Sequence, residues 1–201
     1  MTHKKLVVLD IDETLVHTTN NPLLEIKVNS GMCPITECYD FTFMIDKHRY
    51  WGKKRPHFDT FIKYIHTNFE IGIWSAGSED YVVNVLMNTF PNDILQDILF
   101  VYTFASCQIL QIESEMYIIK DLNRLWGLGN VIDEFRPYNN TNTIVVDDNP
   151  YTYSQNKDNA IGVNAWRFTM ENALLDYDLL RVQSIISHIK NSNDVKEHLN
   201  K

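Results

Sequence analysis

The stretch Val7-Val8-Leu9-Asp10-Ile11-Asp12-Glu13-Thr14-Leu15-Val16 decides how this chain is read, because an apolar run ends there in two carboxylates one residue apart. Aliphatic and β-branched residues in succession mark a buried parallel strand, and open α/β sheets place their chemistry where such strands end. Asp10 and Asp12 are therefore site candidates. Carboxylates this close repel. They stay ionised together only with a cation or a positive side chain between them, and otherwise one of them holds a proton. The first arrangement fits a magnesium site, the second an acid beside a nucleophile.

An isolated D-x-D is a weak signal that a polar turn would also satisfy. Three further stretches strengthen it: Ile71-Gly72-Ile73-Trp74-Ser75-Ala76-Gly77, Tyr117-Ile118-Ile119-Lys120-Asp121-Leu122 and Thr143-Ile144-Val145-Val146-Asp147-Asp148-Asn149-Pro150. Each sets a polar group directly after an apolar run: a hydroxyl, an ammonium and a second carboxylate pair. In this order the segments resemble the four motifs of the haloacid dehalogenase superfamily of phosphohydrolases. Asp10-Ile11-Asp12-Glu13-Thr14-Leu15-Val16-His17, Lys54-Arg55-Pro56-His57, Lys120-Asp121-Leu122, Asp147-Asp148-Asn149-Pro150 and the later Asp158-Asn159-Ala160 narrow the resemblance. They are similar to the protein phosphatases that act on the C-terminal domain of RNA polymerase II and their small, NLI-interacting-factor-like relatives. The resemblance spans roughly residues 4 to 190.

A carboxylate can attack phosphorus to give an aspartyl-phosphate, splitting one hard displacement into two easier ones, and Asp10 is the candidate nucleophile. Asp12 is the candidate acid, protonating the leaving oxygen and later activating water. Two anions must approach in the first step, so a metal and Lys120 have to neutralise the transferring oxygens. Ser75 could donate to phosphate or cap a helix. Thr14 is read as a supporting turn residue. The resemblance further implies Mg2+ as cofactor, held by Asp10, Asp148 and the carbonyl of Asp12, with Asp147 bracing Lys120 or a metal-bound water. Such an all-oxygen set suits magnesium. His17 and His57 belong to no metal-ligand spacing and are read as structural.

The chain has 201 residues and a formal net charge of -8, enough length for one domain. The acidic balance argues against direct nucleic-acid binding, which needs a concentrated basic surface. Lys53-Lys54-Arg55 is the densest basic cluster, either a solvated strand end or an attractor of a phosphorylated or acidic peptide. Cys33, Cys38 and Cys107 show no C-x-x-C pairing and are read as free thiols. With no apolar run of membrane-spanning length and no room for a signal peptide before the first strand, the expectation is a soluble, intracellular protein.

The pattern predicts an α/β, Rossmann-like parallel sheet with helices on both faces, a small antiparallel β insertion over residues 23–55 and no large cap domain. Leu24 to Val28 and Asp40 to Ile45 are its expected strands, with Phe41, Phe43, Tyr50 and Trp51 as its core. Pro56 opens a helix carrying Phe58, Phe61, Ile62, Ile65 and Phe69 on one face. A second helix presents Val82, Val83, Leu86 and Phe90. Strands near Phe100–Phe104, Met116–Ile119, Thr143–Val146 and Ala160–Val163 complete the alternation. A covering helix runs from Leu174 to Ile189, and residues 191–201 look like a flexible tail.

Two departures bear on substrate. A family member with well-understood peptide recognition has an aromatic residue of a proline pocket where this chain has Asn20, and an arginine usual before the third motif is replaced by Phe104. An uncapped site suits phosphate on a protein segment, the polymerase tail being the first candidate partner. A phosphatase of a small phosphoester or nucleic-acid end, and a phosphopeptide-binding module without turnover, are the competing readings.

Overall fold

The computed structural model describes residues 4–22, 38–130 and 132–199. Five parallel strands form the central sheet in the order β10-β9-β1-β5-β6. They are β1 (Leu6–Leu9), β5 (Glu70–Trp74), β6 (Ile98–Tyr102), β9 (Thr143–Asp147) and β10 (Ala160–Gly162). Successive residues of a strand point to opposite faces, so one apolar run can feed two cores. Val7 and Leu9 enter the core on one face, against α1 (Phe58–Asn68), α2 (Glu79–Thr89) and α5 (Asp178–Ile189). Leu6 and Val8 enter the other, against Leu122 and Leu125 of α4 (Leu122–Leu128) and against Phe135. Each fully buried side chain of this size contributes about 1.5–3 kcal/mol. Helices do cover both faces.

The β insertion is a three-stranded antiparallel sheet in which β4 (His48–Lys54) lies between β2 (Val16–Thr19) and β3 (Phe41–Ile45). Phe41 and Phe43 are buried, as expected, while Tyr50 and Trp51 are half-buried. A Cβ on Gly52 would fall 2.0 Å from the Phe41 ring, so the strand needs glycine where that ring crosses it. The expected strand Leu24–Val28 lies outside the described residues, as does Cys33. Among the described residues there is no large cap, and no helix is long and apolar enough to cross a membrane.

Several expectations are corrected. Met116–Ile119 does not join the main sheet. It belongs to β8 (Glu115–Ile119), which pairs antiparallel with β7 (Gln108–Ile112) as a separate hairpin whose turn residue Glu113 has φ 55°. The turn carries no glycine or asparagine, the usual signal of a two-residue hairpin loop. On α2 the buried face is Val82, Val85, Leu86 and Thr89, with Val83 turned to solvent, because the helix begins at Glu79 and the 100° step per residue carries Val83 off the core. Residues 192–199 pack against the domain: Val195 is fully buried, its amide donates to the Thr141 carbonyl at 2.9 Å, and α6 (Lys196–Leu199) follows. Cys107 is a free thiol, but Cys38 is disulfide-bonded.

Candidate active site

Parallel strands all present their carboxyl ends on one edge of the sheet, and the candidate residues gather there. Asp10 follows the central strand β1, its amide donating to the Val146 carbonyl of β9 at 3.0 Å. The chain then makes a tight loop in which the amides of Leu15 and Val16 both donate to the Ile11 carbonyl, at 2.8 and 3.1 Å. Glu13 occupies the left-handed region with φ 58°. Its carbonyl accepts from the Trp166 amide at 2.7 Å. Asp10, Asp12, Lys120 and Asp148 line one cleft of about 280 Å³, together with Gly77 and Asn149.

Lys120 stands at the floor of that cleft. Its ammonium, only 2% exposed, donates to Asp10 Oδ1 at 2.5 Å and to Asp147 Oδ2 at 2.6 Å. Burial alone would lower its pKa, yet the two facing carboxylates outweigh burial and raise it, so the lysine stays charged. Asp10 is pushed well above the usual carboxylate range, first by burial and then by Asp147 and Asp12, with Lys120 pulling back. Burial also raises Asp12, and burial with the charge of Asp147 lifts Asp148 to about 6. Four acids against one ammonium leave negative charge in excess.

Carboxylate oxygens of Asp10, Asp147 and Asp148 converge within 4.8 Å of one another. An oxygen-only donor set with surplus negative charge fits a hard divalent cation. Thr14 Oγ1 donates to Asp148 Oδ1 at 3.1 Å and accepts from the Asp148 amide at 3.1 Å, so Thr14 holds a ligand candidate as well as a turn. Asp147 Oδ1 accepts from the Asn149 amide at 2.9 Å, leaving Oδ2 for Lys120. The Asp12 carboxylate is not part of this cluster; it is bonded to Tyr81 and lies near Ser75.

Ser75 is fully buried after β5, its Oγ accepting from the Gly77 amide at 2.9 Å and lying 3.5 Å from Asp12 Oδ2. The cap of α2 is Ser78, whose hydroxyl accepts from the Tyr81 amide at 3.4 Å, so Ser75 is free of that duty. The remaining readings resolve toward structure. Arg55 is 1% exposed and bonded to Asp176 at 2.8 and 2.9 Å and to Asp178 at 3.3 Å. Lys53 and Lys54 pair with Asp40 and Asp59 at 2.9 and 2.7 Å, so the basic cluster is largely neutralised. His57 is exposed and stacks on Tyr177 at 5.5 Å, and His17 is buried with Nδ1 4.0 Å from Glu13. Neither joins the acidic cluster.

Two residues were missed in the sequence. Tyr81 donates its hydroxyl to Asp12 Oδ1 and shares a 2.7 Å hydrogen bond with Thr18. It sits beside Val82 in an amphipathic helix and is indistinguishable there from core. Arg55 also donates to the Thr14 carbonyl at 3.1 Å, fixing the loop that follows Asp12. Its place in Lys53-Lys54-Arg55 suggested surface charge.

A central parallel sheet with the paired acids leaving its middle strand, and a small antiparallel insertion immediately after them, defines a haloacid dehalogenase-like phosphatase fold. A family model described as NLI interacting factor-like phosphatase matches residues 5–196, and the chain belongs to that family. It is 30% identical over 167 residues to CTD nuclear envelope phosphatase 1B of Danio rerio, covering 81% of this chain and 59% of that protein. It is 26% identical over 193 residues to CTD small phosphatase-like protein 2 of Dictyostelium discoideum, covering 96% of this chain and 29% of that protein. The solved structure of Fcp1, described as an essential RNA polymerase II CTD phosphatase, shares the fold with a TM-score of 0.59 at 18% identity, covering 94% of this chain and 51% of that one. The chain thus spans less than two thirds of the length of each of these three relatives.

Proposed function

We propose that this chain is a magnesium-dependent phosphoserine and phosphothreonine protein phosphatase that works through an aspartyl-phosphate on Asp10. The observation that carries the reading is the buried Lys120 ammonium, 2.5 Å from Asp10 and 2.6 Å from Asp147, with Asp12 lining the same cleft. A purely binding pocket has no need of an acid next to a nucleophile. Asp10 forms the new bond to phosphorus while the ester oxygen departs with a proton from Asp12. Asp12 then takes a proton from the water that attacks the phosphorus of the aspartyl-phosphate, which releases phosphate and restores Asp10. The raised pKa of Asp12, caused by burial, suits an acid that must still hold its proton when the ester arrives. Lys120 and the Ser75 hydroxyl offset the charge of the transferring oxygens.

Asp10, Asp148 and the Asp12 carbonyl would hold magnesium, with Asp147 keeping Lys120 in place. When bound, the ion supplies Lewis-acid neutralisation of the phosphoryl oxygens. The cleft has no large cap among the described residues, which favours phosphate on an extended protein segment over a small metabolite. The names of the relatives make the polymerase tail the first peptide to try, with exposed Asn20 and the 45%-exposed Phe104 altering the surface offered to it. The test is turnover of a generic aryl phosphate with magnesium and with excess chelator, followed by kcat/KM on polymerase-repeat phosphopeptides, unrelated phosphopeptides and sugar phosphates. Magnesium-dependent turnover with preference for a peptide is expected. Phosphopeptide binding without turnover, or a sugar phosphate preferred over every peptide, would overturn the reading.

A further inference from the structure

The small β sheet is tied to the acid of the reaction through one tyrosine. Tyr81, in the first turn of α2, donates to Asp12 Oδ1, and the same phenolic oxygen lies 2.7 Å from Thr18 Oγ1 on β2. With the phenol proton on Asp12, the threonine hydroxyl is the donor in the second bond. The ring is gripped edge-on by Phe43 of β3, with centroids 5.8 Å apart, and by Tyr50 of β4, 6.0 Å apart. A Cβ on Gly77 would lie 2.6 Å from the ring, so the loop after Ser75 needs glycine to admit it. Apart from Asp12, the side chains that touch the phenol and its ring here come from the insertion, Thr18, Phe43 and Tyr50.

A carboxyl group acts as a general acid through one of its oxygens, and a carboxyl free to rotate presents the wrong one half the time. Oδ1 of Asp12 is engaged by the phenol. Oδ2 lies 3.5 Å from Ser75 Oγ, and Asp12 lines the cleft. We propose that Tyr81 is a positioning residue that pins Oδ1 of Asp12 and so makes Oδ2 the oxygen that carries the proton to the leaving group, with Thr18 and the aromatic residues of the β insertion holding Tyr81 in register. This rests on the phosphatase reading above and deepens it. In the step concerned, the bond between phosphorus and the ester oxygen breaks, the electron pair stays on that oxygen, and the proton of Asp12 Oδ2 passes to it.

Loss of general-acid positioning has a signature that loss of fold lacks, because a leaving group that is itself a weak base needs little protonation while an alkoxide needs it most. The experiment compares native protein, Tyr81→Phe and Thr18→Val by kcat/KM on aryl phosphates of increasing leaving-group pKa and on a phosphoserine peptide, at saturating magnesium. Thermal unfolding of each variant is measured alongside. The expected result for Tyr81→Phe is a loss on the phosphoserine peptide at least about tenfold greater than on p-nitrophenyl phosphate, within the range general-acid catalysis supplies. Thr18→Val should show the same trend with smaller size. In an Asp12→Asn background, Tyr81→Phe should add nothing to the leaving-group dependence. An equal loss on every ester, or no loss on the peptide, overturns the assignment to Tyr81. Failure of the native protein to turn over any ester would instead overturn the phosphatase reading, and this inference with it.

Discussion

Thr14 and Asp148, 134 residues apart in the chain, hold each other through a reciprocal pair of 3.1 Å hydrogen bonds between the Thr14 hydroxyl and the carboxylate and amide of Asp148. Groups that orient a metal ligand are commonly worth 10–100-fold in metal affinity. Thr14→Val keeps the volume of a fully buried side chain and removes both bonds. The magnesium concentration for half-maximal turnover should rise by about ten- to a hundredfold, with much of the rate recovered at saturating metal. Titration of turnover against magnesium checks this, and an unshifted midpoint would mean that Asp148 needs no such brace.

Lys120→Met should both stop turnover and destabilise the protein. Removing one partner of a buried charge pair leaves the other uncompensated, at a cost of about 3–5 kcal/mol, and here two carboxylates, Asp10 and Asp147, lose their ammonium together. Magnesium should restore part of the lost stability, because an ion that binds only the folded state shifts unfolding by mass action. Urea unfolding with and without magnesium measures both effects. A variant as stable as the native protein without the ion would contradict the charge balance described for the cleft.

Asp10→Asn should eliminate turnover, and Asp12→Asn should retain phosphopeptide binding while crippling both protonation and water activation. Because both acids serve one reaction path, the double variant should be scarcely worse than Asp10→Asn alone. Single-turnover kinetics with phosphate release will show it. Near-native rates for Asp10→Asn would point to a different nucleophile.

Acid stability should depend on the cluster beneath the active-site loop. Burial works to raise the pKa of Asp178, but the hydrogen bonds from Arg181 and the Asn164 amide, with the charges of Arg181 and Arg55, hold it below the usual carboxylate range. A carboxylate whose folded pKa is depressed contributes stability fully above the unfolded value, about 3.9, and loses it as pH falls through the folded value. Asp178→Asn should therefore lower Tm at neutral pH, and the gap to the native protein should close below about pH 4. Arg55→Met should destabilise the protein at neutral pH, since Asp176 loses its guanidinium partner while Asp178 keeps Arg181. Equal Tm values for native protein and Asp178→Asn at pH 7 would refute this role.

Much of the fold is visible as pattern. The apolar runs at Leu6–Leu9, Glu70–Trp74 and Thr143–Asp147 are long enough and β-branched enough to be strands buried on both faces, and they are. The β7–β8 hairpin escaped because its turn lacks the residues that favour a positive φ, so Met116–Ile119 passed for another parallel strand. Arg55 escaped for a different reason. A basic residue after two lysines looks solvated, and nothing local shows that the chain turns inward after Lys54 and meets Asp176 and Asp178 from more than a hundred residues away.

The sequence by itself determined most of the candidate site, because residues placed immediately after the strands of a parallel sheet emerge at one edge of it: Asp10 and Asp12, Ser75, and Asp147 with Asp148. Only the tertiary structure decided how those groups share their bonds. Lys120 reaches Asp10 across 110 residues and divides its protons between two carboxylates, and the Asp12 carboxylate is bonded instead to Tyr81, which Thr18 holds in turn. These are contacts between side chains on separate elements. Their distances depend on how strands, helices and the β insertion pack, which no local pattern in the chain encodes.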